Sequence, residues 1–157
     1  MSADVEVLSA EQRLAEFLRK YDPAIAASAR EVRARLQALL PGALELVYDN
    51  YNALVIGYGP TERSSEAILS IAVMPRWVTL CFLWGVRLAD PHKLLRGSGN
   101  QVRNIRLESP PDLDRAPIRD LIDQAIALSS PPIEPTRPPT LIIKSVSAKQ
   151  RPRRPRG

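Results

Sequence analysis

At 157 residues, 45% of them hydrophobic, the chain is long enough to bury the core of one domain. Its net charge is +5, but the last fourteen positions hold six basic residues and no acid, which leaves sixteen basic against seventeen acidic side chains in residues 1–143. Nothing marks the body as a uniformly basic domain; the single cysteine excludes an internal disulfide, and no run of about eighteen apolar residues is present to span a membrane.

The opening MSADVEVLSAEQ lacks the basic and apolar regions of a secretory signal, so residues 1–9 are expected to be an extension and the protein cytoplasmic. Ser9, with Gln12 three positions on, predicts a capping box opening a helix at Ala10. Leu14, Phe17, Leu18 and Tyr21 recur at helical spacing on it. Asp22-Pro23 starts a second helix with an apolar stripe of Ile25, Ala29, Val32, Leu36 and Leu40, closed by Pro41-Gly42. Arg30, Arg33 and Arg35 are expected to fan over its surface, with Glu31 and Arg35 paired.

Strands follow at 43–49 and 51–58 around a polar corner, then at 66–74 and 76–85 around a hairpin turn at Pro75. The second pair is almost continuously apolar, which predicts cover on both faces. Residues 89–97 predict a short helix capped by Asp90, 101–109 a fifth strand, and 111–129 a third long helix capped by Asp114. The expected core includes Phe17, Leu36, Val55, Ile71, Leu80, Phe82, Leu107 and Leu121. One α+β domain over residues 10–129 results, with an antiparallel sheet packed with helices. Five prolines make 130–139 an extended linker. In 140–157, residues 141–146 are β-prone and expected to dock as an edge strand or in an apolar groove; beyond Ser147 nothing can be buried, so the basic tail is expected to stay mobile.

Candidate chemistry is sparse. LLRGSGNQVRNIRL (94–107) crowds Arg96, Arg103 and Arg106 around two glycines, but it lacks the spacing of a phosphate loop and runs helix–glycine–strand. Gly97 and Gly99 are therefore expected to serve a turn while the arginines diverge. His92 stands alone, Cys81 lies in an apolar run, and the acids Asp112, Asp114, Asp120 and Asp123 alternate with arginines, so no metal site is assigned. The corner YDNYN offers Tyr48, Asp49, Tyr51 and Asn52 as the edge of a ligand pocket, or as a turn whose Asp and Asn bond their own backbone. Lys149, Arg151, Arg153, Arg154 and Arg156 could pair with the phosphates of a nucleic acid or another polyanion.

LLPGALELVYDNYNAL, LLRGSGNQVRNIRL and LIDQAI resemble the YdhG-like family, also called domain of unknown function 1801, over roughly residues 12–128. The resemblance implies an α+β fold and a small binding or chaperone-type protein, with iron as a cargo implied by one frataxin-like branch. Family segments often carry lysine and histidine where this chain has Asn100 and Asn104, so the likeness assigns no ligand to that loop. The residues themselves require no cofactor, and a monomer and a homodimer are equally compatible with them. Three functions follow: a binding module, a nucleic-acid-associated protein using its tail, and an enzyme with a pocket at the Tyr48–Asn52 corner.

Overall fold

A computed structural model describes residues 8–155. Three helices, α1 (Ala10–Arg19), α2 (Pro23–Leu39) and α3 (Ala116–Ala127), pack against a six-stranded sheet. The strands are β1 (Leu44–Asp49), β2 (Leu54–Gly59), β3 (Leu69–Val73), β4 (Val78–Phe82), β5 (Arg103–Leu107) and β6 (Thr140–Val146). Their spatial order is β5-β4-β3-β2-β1-β6, and all pairs are antiparallel except β1 with β6. This is an α+β fold. No helix among the described residues is long and apolar enough to cross a membrane.

Local sequence explains most of these elements. Ser9 Oγ accepts from Gln12 N at 3.1 Å while Gln12 Oε1 accepts from Ser9 N at 2.8 Å, completing the expected capping box. Tyr21 ties the helical corner to the sheet: its hydroxyl donates to Val73 O at 2.6 Å and accepts from Leu54 N at 3.0 Å. Pairing register places Val47, Ile56, Ile71, Leu80 and Ile105 in one row across five strands. All five are buried under the helices, and Ile143 of β6 extends the row. The Met74–Trp77 hydrogen bond closes the tight turn at Pro75.

The structure corrects several expectations. The second strand begins at Leu54, because Tyr51 and Asn52 remain in the corner. β3 and β4 alternate buried and half-buried residues, so one of their faces stays open, with Ser70, Ala72, Thr79 and Cys81 on it. It is β1 and β2 that are covered twice: their outer side packs under the 60–66 loop, where Tyr48 bonds Ser64 and Lys144 Nζ reaches Glu62 O at 3.0 Å. Val55 lies on this outer side and is only half-buried, whereas the other seven expected core residues are buried.

Residues 89–97 are not helical. Asp90 does accept from Leu94 N and Leu95 N at 2.9 Å, but Lys93 is left-handed at φ 54° and Arg96 forms an antiparallel bridge to Asn104. Pairing to β5 thus wins over a short local helix. A 3-10 segment, Pro110–Asp114, precedes α3, and Asp112 rather than Asp114 serves its capping box. Asp114 instead pairs with Arg35 and Arg119. Finally, β6 docks on β1 as an edge strand, as expected, and the chain after it also folds against the domain.

Candidate functional site

β1 places two acids, Glu45 and Asp49, beside Val47 on the helix-covered side of the sheet, because alternate strand residues share a face. Each is buried, and each meets an arginine from another part of the chain. The Asp49 carboxylate has no solvent exposure; Lys20 Nζ lies 2.6 Å from Oδ2 and Arg153 Nη2 lies 3.0 Å from Oδ1. Arg153 also donates to Asn50 O at 2.5 Å and Tyr51 O at 3.3 Å. The tail backbone joins in: Ser147 N donates to Asp49 O at 2.9 Å and Arg151 N to Tyr51 O at 2.8 Å. Gln150 Nε2 reaches Asp49 O at 3.1 Å. Burial alone would raise the Asp49 pKa, but hydrogen bonds from Lys20, Gln150 and Arg153 outweigh it and hold the carboxyl below its ordinary value.

The corner and the basic tail, two separate candidates in the sequence, are therefore ligands of one another. Tyr48, Asp49, Tyr51 and Asn52 do not converge on a cavity. Tyr48 points to the opposite side of the sheet, and Tyr51 and Asn52 are exposed. The expectation of a mobile tail is corrected as well. Arg153 is only 5% exposed, and Arg154 bonds Lys20 O and lies 3.5 Å from Asp22. Among the tail cations, Lys149 and Arg151 face solvent, and Arg156 lies outside the described residues.

Glu45 was not singled out in the sequence, and nothing but its place in a mostly apolar strand could have signalled it. Its Oε2 accepts from Arg33 Nε at 2.9 Å and Tyr58 Oη at 2.7 Å; its Oε1 accepts from Arg33 Nη2 at 2.9 Å and Gln37 Nε2 at 3.0 Å. Arg33 bonds Glu11 through both terminal nitrogens, so it is an inward anchor, not the surface residue expected. Burial and the neighbouring Glu45 push the Tyr58 hydroxyl well above its ordinary pKa. A cavity of about 370 Å³ opens beside this network, walled by Pro41, Pro135 and Pro139. With four donors already on Glu45, the cluster is saturated and holds α2 to the sheet.

The arginine loop behaves as a turn. Gly97 adopts φ 126°, Arg103 donates to Gly99 O and Val102 O, and Arg106 stacks on Trp77 with its guanidinium 3.9 Å from the ring centre. A larger pattern surrounds it. Residues 67–107 hold Arg76, Arg87, Lys93, Arg96, Arg103 and Arg106 against one acid, Asp90, a balance of +5; the rest of the chain has sixteen charges of each sign. None of these six cations forms an ion pair among the described residues. The Asp90 carboxylate is occupied by backbone amides. Both tryptophans lie in the same stretch, and each carries an arginine: Arg106 on Trp77, and Arg87 on Trp84 at 4.2 Å.

The stretch from Arg76 to Arg106 thus carries cations without ion pairs among the described residues and an arginine-backed tryptophan at each end of β4. Arg76, Arg87, Lys93, Arg96 and Arg106 are all exposed. No family model, curated protein or solved structure matches the chain.

Proposed function

We propose that this protein is a binding module for polyanions, single-stranded nucleic acid foremost, and that its contact surface is the β5 side of the sheet, not the tail. One observation supports this above all: six unpaired cations and both tryptophan–arginine stacks fall within residues 67–107. Phosphates neutralised by such cations release counterions, and exposed rings or stacked guanidiniums give bases a sequence-tolerant platform. Edge strands are often guarded by charge against pairing with other chains. A guard of that kind does not require Trp84 to stand 38% exposed beside a stacked arginine. The tail contributes less, because Arg153 and Arg154 are engaged with Asp49 and Asp22.

A YdhG-like kinship agrees with a sheet packed by helices and remains a proposal for the protein's ancestry. Its iron cargo is the weaker part: among the described residues no three His, Cys, Asp or Glu side chains come together to hold a metal ion. An enzyme centred on Tyr48–Asn52 would need the tail to leave Asp49.

Fluorescence anisotropy with a labelled single-stranded oligonucleotide at 50 and 200 mM salt tests the proposal. If about four phosphates are contacted, the single-strand salt slope of about −0.7 per phosphate gives a roughly 50-fold loss of affinity over that range. Arg96→Glu with Arg106→Glu should abolish most binding, whereas Lys149→Glu should not. The opposite ranking would return the site to the tail.

A further inference from the structure

Resting on that proposal, the geometry points to a specific seat for one unstacked base: we infer that the cleft beside Trp84 takes a nucleobase from a single strand running along the β5 side of the sheet. The cleft lies between the 65–68 segment ahead of β3, the end of β4 and the last turn of α3, and holds about 170 Å³. Ile68, Phe82, Leu88 and Leu128 give it apolar walls, and Trp84 and Arg87 form its mouth. Phe82 and Leu88 are core residues, but Trp84 and Leu128 are 38% and 44% exposed. Val86 and Val102 are also exposed at this end, which joins them through the Val86 N–Gln101 O bond. Four large apolar side chains are thus left open next to unpaired arginines.

Close backbone approach builds this arrangement. A Cβ on Gly85 would lie 2.3 Å from Arg103 Cβ and 2.7 Å from Arg103 N, so only glycine lets the Trp84–Arg87 turn sit against the start of β5. The turn therefore holds the aromatic mouth directly beside a basic strand. Glu66 stands at the rim with one carboxylate oxygen on the Thr61 hydroxyl; the other bonds no described group. A carboxylate there suits the exocyclic amine of cytosine.

A planar ring, an apolar seat, a stacked guanidinium and flanking cations together fit a nucleotide within a strand better than a bare anion. Bases in a duplex are paired and stacked and cannot enter without unpairing. The cleft therefore favours single strands.

The test compares three probes on the full chain: a short oligo-deoxycytidylate, an abasic strand with the same number of phosphates, and the corresponding duplex. Base stacking on an aromatic platform should make the deoxycytidylate bind about 5- to 150-fold tighter than the abasic strand. It should also quench tryptophan fluorescence. Trp84→Ala should bring the deoxycytidylate down to the level of the abasic strand, and Trp84→Phe should keep part of the advantage. Equal affinity of the wild type for both strands, a difference that survives Trp84→Ala, or a preference for the duplex would overturn the base seat while leaving polyanion binding intact. Failure of all three probes to bind would remove the polyanion function, and the base seat with it.

Discussion

Replacing Arg153 with alanine should destabilise the whole domain, although the residue lies four positions before Gly157. The substitution strips one of two cations from a carboxylate with no solvent exposure, together with donors to Asn50 O and Tyr51 O. Removing one partner of a buried pair costs about 3–5 kcal/mol, since the other charge stays buried. Lys20 remains 2.6 Å from Asp49, which places the loss near the lower end, about 3 kcal/mol. For a chain of this size each kcal/mol moves the melting temperature by about 2–4 °C, so a fall of about 6–12 °C is expected. Urea denaturation followed by tryptophan fluorescence gives the free energy, because both reporters, Trp77 and Trp84, flank β4 and are remote in the sheet from the tail. Deleting residues 149–157 should cost at least as much. Arg153→Ala and Asp49→Ala should also be non-additive in a double-mutant cycle, by about 0.5–3 kcal/mol. A loss below about 1 kcal/mol, the level of an exposed ion pair, would show that the tail does not lock the fold.

Acid should erase part of this lock. The folded Asp49 pKa lies below its ordinary 3.8, so its stabilisation is fully present above that value and is lost as pH falls through the lowered pKa; the gap between wild type and Asp49→Asn in urea titrations should therefore close only in that acidic window. Tyr58→Phe removes a buried donor from Glu45, and calorimetry should register a loss of about 1–3 kcal/mol with no change in oligonucleotide affinity. Gly85→Ala should force the 84–87 turn off Arg103, costing about 1–3 kcal/mol in urea titrations and weakening strand binding; unchanged stability would mean that the close approach is relaxed in solution.

Local signals made much of this fold legible. The Ser9–Gln12 box, the Asp22-Pro23 start, the Pro75 hairpin and the apolar periodicities all mark elements that exist. Misreadings arose where distant partners decide. Asp90-Pro91 looks like a helix start, but Asn104, far along the chain, draws Arg96 into a bridge. Arg33 sits at a helix position that reads as surface, until Glu11 and Glu45 converge on it from two other segments. The tail looked unfoldable because it lacks apolar residues; it is held by one buried guanidinium and by backbone bonds to the corner. Charge misled for the same reason. Counting along the chain puts the excess in the tail, whereas in three dimensions Arg153 and Arg154 are engaged by Asp49 and Asp22, and the stretch 67–107 carries six cations against one acid.

Backbone amide chemical shifts of the full chain, titrated with a short oligo-deoxycytidylate at low salt, test the location of binding most directly. Perturbations concentrated in residues 84–106, with the indole N–H of Trp84 among the largest, and little change from Ser147 to Pro155 are the predicted result. Shifts confined to the tail, or none along the β5 side, would contradict it.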